Sequence, residues 1–176
     1  MEVAQSKLVL GLRAGAAVPQ DAVASTKLMS AVLGGTPSSK LFLNVREKLS
    51  LCYYCASRYD WNKGIILIES GVETENIDRA QTEILGQLDE IRAGKVTEEE
   101  LLAARLSVGN SYRTVGDYLG GLENWYVSQA FCEKIQSPEE AAEEINSVTM
   151  EQVVQAANRV VLDTVYRMVG KEEAEE

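Results

Sequence analysis

The sequence contains no histidine among its 176 residues. That absence excludes zinc sites with His ligands, Ser-His-Asp triads and Cys-His dyads from this chain. Cysteine is sparse and odd in number, with Cys52, Cys55 and Cys132 only. Three thiols make no disulfide framework, and so low a count suits a reducing compartment, read here as the cytoplasm. Basic residues are outnumbered, 17 Lys plus Arg against 27 Asp plus Glu, for a net charge of −10. Such a surface repels phosphate backbones and anionic lipid, so neither a nucleic-acid nor a membrane partner is expected. Apolar runs are a few residues long, far short of the roughly 20 that cross a bilayer, and no signal peptide is visible.

What remains is a chain of ordinary domain size, long enough to bury roughly 70% of its unfolded surface. Residues 1–170 read as a single domain and residues 171–176, Lys-Glu-Glu-Ala-Glu-Glu, as a solvated acidic tail. The opening residues lead almost directly into a strand, so the segment reads as excised from a longer protein.

Hydrophobic periodicity sets out the elements. Residues 6–12 alternate as a strand, and Gly11, Gly15 and Pro19 punctuate the loop that follows. Asp21 is placed to cap a helix over residues 21–33, which Gly34 and Gly35 end. Residues 51–60 and 65–72 flank the turn Trp61-Asn62-Lys63-Gly64 as a β-hairpin. The consecutive apolar Ile65-Ile66-Leu67-Ile68 predicts a strand covered on both faces. A helix follows over residues 73–93, stopped by Gly94. Thr97-Glu98-Glu99-Glu100, Ser137-Pro138-Glu139-Glu140 and Thr149-Met150-Glu151-Gln152 each open a further helix with a capping pair. The triple carboxylate Glu98 to Glu100 is therefore helix-start charge rather than acid/base machinery. Residues 161–169 close the chain as a strand. The order β-α-α-β-β-α…α-β predicts an α+β two-layer domain, its mainly antiparallel sheet covered on one face by helices.

Cys52-x-x-Cys55 lies in the first hairpin strand. Residues three apart in a regular strand point to opposite faces, so the pair is read as core filling rather than as metal ligands. A thiol enzyme built on Cys52 would lack a histidine to activate it.

The stretch from Gly34 to Tyr54 carries the most information. Ser38 or Ser39 is placed to cap a short helix whose apolar face is Leu41, Phe42, Val45 and Leu49. Taken alone, Arg46 is a solvated cation near that helix's C-terminus, where it suits the dipole. The run Gly-Gly-x-x-x-Ser-Lys-Leu-Phe-x-x-Val-Arg-Glu-Lys-x-x-Leu-x-Tyr resembles the second-half motif of the insulinase-like metallopeptidases. That family includes pitrilysin, the mitochondrial processing peptidases and the cytochrome bc1 core subunits. The resemblance extends from Gln5 to about Val169. Its Lys-Leu-Phe-x-x-Val-Arg-Glu-Lys form is most similar to a bacterial branch in which one paired member has lost the zinc-binding His-x-x-Glu-His motif.

The resemblance implies a clam shell of two similar halves, of which this chain is the C-terminal type without zinc. No cofactor is then expected in this chain, and zinc only in another half or partner. It also implies that Arg46 and Tyr53 contact substrate, the guanidinium holding backbone carbonyls and the phenol stabilising an oxyanion. Cys52 stands where many members carry Gly or Ala, and Tyr54 adds a second aromatic ring. The implied function is a non-catalytic half of a peptidase, or of an inactive homologue, forming one wall of a peptide-binding chamber. The parent or partner would be the zinc metalloendopeptidase, with no activity from this segment alone. Its partners would be a companion half and a peptide or protein substrate, and the isolated domain could form a homodimer through the surface meant for that half. The alternative is a scaffold or assembly subunit using the same fold as a protein–protein surface.

Overall fold

In a computed structural model the chain is described over residues 5–15 and 20–169. The acidic tail, the loop around Pro19 and the side chain of Asp21 lie outside the described residues. Four strands form one antiparallel sheet: β1 (Ser6–Arg13), β2 (Cys52–Asp60), β3 (Ile65–Val72) and β4 (Val161–Met168). Their spatial order is β2-β3-β1-β4, so the hairpin β2–β3 sits at one side and the chain's last strand at the other. The helices are α1 (Gln20–Gly34), α2 (Ile77–Arg92), α3 (Glu98–Arg113), α4 (Leu119–Val127), α5 (Pro138–Ser147) and α6 (Met150–Arg159). A π-helix, Leu41–Lys48, links α1 to β2. The α+β two-layer reading holds.

The layering follows from the alternation of β1. Ser6, Leu8, Leu10 and Leu12 face the helices and are buried, whereas Lys7 and Arg13 face away. Ile66 and Ile68 of β3 join them, and Leu28 and Met29 of α1 with Ile84, Leu88 and Ile91 of α2 fill the space between the layers. Ile65 and Leu67 are only half-buried, which corrects the expectation of a strand covered on both faces. On the far face Leu67 stands across from Gly11 of β1 and Arg58 of β2. Consecutive apolar residues there do not mark a second helical layer.

The three capping pairs form as the sequence predicts, each with reciprocal side-chain and backbone bonds. Gly94 ends α2 at φ +73°. The expected start of that helix shifts, because Thr74–Asn76 winds as a 3-10 turn first. The end of α1 has a different cause from the one its glycines suggest. Neither Gly34 nor Gly35 adopts positive φ. Gly34 lies so close to β2 that a Cβ would stand 2.7 Å from the Ser57 backbone nitrogen. Contact between helix and sheet, rather than a turn, requires glycine there.

Candidate functional site

The π-helix is held at its start by an ion pair, Lys40 Nζ to Glu100 Oε1 at 3.1 Å, with both side chains largely buried. Glu100 also accepts from the Thr97 backbone, so one carboxylate ties the π-helix to the start of α3. The expected Ser38 or Ser39 cap does not form. Thr36 Oγ1 accepts from the Ser38 backbone at 3.2 Å, and the buried Ser39 hydroxyl has no partner among the described residues. The turn Thr36 to Ser39 leads into the helix instead, with Lys40 in the cap position and no side-chain cap. Leu41 and Val45 are buried as the apolar face predicts. The wider winding shows at the C-terminus, where the Leu49 amide reaches Asn44 O and the Leu51 amide reaches Val45 O, at 3.2 and 3.1 Å. Ser50 follows with φ 51°, a left-handed conformation that costs a non-glycine residue energy.

β2 begins irregularly as well. Cys52 pairs with Val72 and Tyr54 with Gly71, so Tyr53 is the extra residue of a β-bulge. The bulge returns Cys52 and Cys55 to the same buried side of the strand, which corrects the opposite-face reading. Their thiols hydrogen-bond to each other. That bond holds the Cys52 thiol low, at about 7, against the raising effect of burial, with Ser70 and the Arg46 guanidinium also lowering it. The same bond and burial push Cys55 up. Gly71 leaves room for the neighbouring ring, since a Cβ on it would stand 2.6 Å from Tyr54 Cε1.

Arg46 and Tyr53 come together. The Arg46 Nε donates to the Tyr53 carbonyl at 2.9 Å, its Nη1 pairs with Glu47 at 3.3 Å, and its guanidinium carbon stacks 4.6 Å from the Phe42 ring centre. Both residues line an open cleft of about 370 Å³ with Glu47, Ser50, Cys52 and Glu73. The exposed Tyr53 hydroxyl donates to Glu73 Oε1 at 3.1 Å. That bond and the nearby negative charge raise the Tyr53 pKa, so the phenol stays a donor at neutral pH.

Glu73 is the residue that sequence reading missed. A register counted out from the Trp61–Gly64 turn sets Tyr53 opposite Val72, and the bulge displaces it toward Glu73. The hairpin register was legible, whereas the extra residue was not.

In its one-sided helical layer on a four-stranded antiparallel sheet the chain matches the fold of solved M16-type inactive peptidase domains. A conserved protein from Enterococcus faecalis superposes over 99% of this chain and 41% of its own, with TM-score 0.92 and 30% identity. A protease from Helicobacter pylori, 18% identical, shares the fold over 90% of this chain and 39% of its own, at TM-score 0.78. The chain belongs to the peptidase M16 inactive domain family, whose sequence pattern matches residues 1–108. The Bacillus subtilis protein named "probable inactive metalloprotease YmfF" is 31% identical over 98% of this chain and 41% of its own length. A Rickettsia bellii protein named as an uncharacterized zinc protease is 25% identical over 90% of this chain and 39% of its own. The chain thus spans about two fifths of the length of these curated relatives.

Zinc is the metal this family implies, and the residues here do not fit it. The chain has no histidine. The described residues contain no group of three or more His, Cys, Asp or Glu able to hold an ion. Cys52 and Cys55 are a pair without a third ligand.

Proposed function

We propose that this domain forms one wall of a chamber holding extended peptide, in which Arg46 and Tyr53 contact the substrate while a companion half carries the zinc. The observation that supports this most is the convergence of three costly backbone features on one cleft. The π-helix aims Arg46, left-handed Ser50 turns the chain, and the bulge turns Tyr53 outward. Irregular backbone of this kind is retained where it positions functional groups. Among the described residues Arg46 Nη2 makes no hydrogen bond, which leaves donors for a peptide carbonyl. The Tyr53 hydroxyl would exchange Glu73 for an oxyanion. The three free cysteines favour a reducing compartment such as the cytoplasm.

The test pairs the full gene product with its zinc-bearing companion and follows cleavage of an extended fluorogenic peptide. Tyr53→Phe is expected to lower kcat by about 100-fold, the effect of losing one oxyanion donor, with an unchanged Tm. Arg46→Ala is expected to lower kcat/KM by tenfold or more, in the range of a lost charged hydrogen bond of about 1.5–3 kcal/mol. Unchanged rates in both variants would remove the two residues from the mechanism.

A second reading, an assembly surface without chemistry, has its own support. Leu119, Val127 and Phe131 are 85%, 64% and 93% exposed on α4 and the segment after it. Apolar side chains grouped in this way mark protein–protein contact. If cleavage is indifferent to Arg46 and Tyr53 while association depends on this segment, this second reading replaces the first.

A further inference from the structure

A second hollow, of about 210 Å³, lies between α1, α3, α4, α5 and the turn of the hairpin. None of its lining residues lines the cleft of Arg46 and Tyr53. Three aromatic rings wall it: Trp61 from the turn, Tyr112 from α3 and Trp125 from α4. Tyr112 and Trp125 meet edge to face, with ring centres 5.0 Å apart. Several polar groups of this wall are already engaged. Trp125 Nε1 donates to the Gln136 carbonyl at 2.8 Å. The buried Gln129 side chain is held by the backbone of Trp125 and Gln136. Glu144, also at the hollow, accepts from Gln136 Nε2 at 2.8 Å.

Lys27 of α1 is the charged group of the hollow without a partner among the described residues. It lines the same hollow, yet among the described residues it makes neither a hydrogen bond nor an ion pair. Burial lowers its pKa, and the like charge of Arg58 lowers it further, while no described carboxylate, Glu144 of the same hollow included, pairs with the ammonium. A half-buried cation beside an aromatic wall is a site short of one anion.

We propose that this hollow binds a small aromatic carboxylate, its ring between Trp61, Tyr112 and Trp125 and its carboxylate on the Lys27 ammonium. Such a ligand supplies the missing counter-charge while its ring replaces water on the aromatic wall. Glu144 makes an aromatic amine the competing ligand, and its existing bond to Gln136 is why the acid is favoured.

The chain reads its own occupancy. Its only two tryptophans, Trp61 and Trp125, both line the hollow, and so does Cys132, the one cysteine that is not buried. The 176-residue chain is titrated with 3-phenylpropionate, 3-phenyl-1-propanol and phenethylamine, following tryptophan emission and the rate of Cys132 alkylation by iodoacetamide. The acid is expected to saturate with a Kd at or below about 1 mM and to slow alkylation, and the alcohol to bind about tenfold more weakly. Lys27→Met is expected to weaken the acid to the level of the alcohol, and Lys27→Arg to restore it. Equal binding of acid and alcohol, tighter binding of the amine, or no saturation by about 10 mM would each overturn the assignment. So would an unchanged acid affinity in Lys27→Met. If that variant does not fold, the acid-to-alcohol ratio on the unsubstituted chain decides.

Discussion

Tyr53 faces outward because it is the one residue of β2 with no partner opposite it. A regular strand would have fixed its side by alternation, and Cys52 and Cys55 could not both have turned inward. The consequence is electrostatic as well as geometric, since the outward phenol meets Glu73. Its raised pKa means that the carboxylate stabilises the phenol and opposes the phenolate. Replacing Glu73 with Gln removes the opposing charge, so Tyr53 should ionise at lower pH in Glu73→Gln than in the parent chain. Absorbance at 295 nm, with Tyr53→Phe identifying the affected transition, checks this. Superimposed curves would mean that Glu73 exerts no field on Tyr53.

At the scale of elements, the junction from α1 to β2 shows why local rules were only partly sufficient. The three capping boxes are made of residues three apart, so short-range chemistry determines them. Gly34 follows no such rule, because its role depends on how closely β2 approaches the end of α1. Gly34→Ala is expected to destabilise the domain by about 1–3 kcal/mol, since the added Cβ meets the Ser57 backbone nitrogen as well as the Leu41 side chain, and the backbone cannot swing aside. Denaturant unfolding measures it. A loss below about 0.5 kcal/mol would show that the junction can relax. The π-helix is a further case. Its residues favour a helix with Leu41 and Val45 inward, and nothing in that pattern separates π from α winding. The wider turn is anchored at both ends, at Lys40 by Glu100 and at Leu51 by the carbonyl of Val45.

For the whole molecule, one face of the sheet is covered by helices and the other is not. β4 is exposed along nearly its full length, and Tyr166 keeps 56% of its surface. Sheet edges and apolar segments left open in this way invite partners. Alone, the domain is expected to self-associate through the segment carrying Leu119 and Phe131. The double variant Leu119→Ser, Phe131→Ser should then sediment as a monomer, with stability within about 0.5 kcal/mol of the parent because both positions are exposed. Unchanged sedimentation would move the contact elsewhere, β4 being the next surface to test. No described helix is long and apolar enough to cross a membrane.

Much of the fold was legible because it rests on repeating patterns. Alternation in β1, helical spacing in α2 and the three capping boxes lie within short windows and survive folding unchanged. The family motif was legible too, since it is a linear run from Gly34 to Tyr53. Of the candidate cleft, the sequence named only Arg46 and Tyr53. Glu73, Ser50 and the shared orientation of Cys52 and Cys55 depend on one extra residue in β2 and on a left-handed turn, neither of which has a composition signal.

By itself, then, the sequence determined the elements, their one-sided layering and the exclusion of a histidine-based metal or triad site, because each follows from neighbours along the chain. The tertiary structure alone decided that Arg46 meets Tyr53, that Tyr53 meets Glu73 and that Lys27 faces an aromatic hollow without a counter-ion among the described residues. Those pairings join distant residues through a π-helix, a bulge and a helix packed against glycine, and that geometry is set only when the layers close on one another.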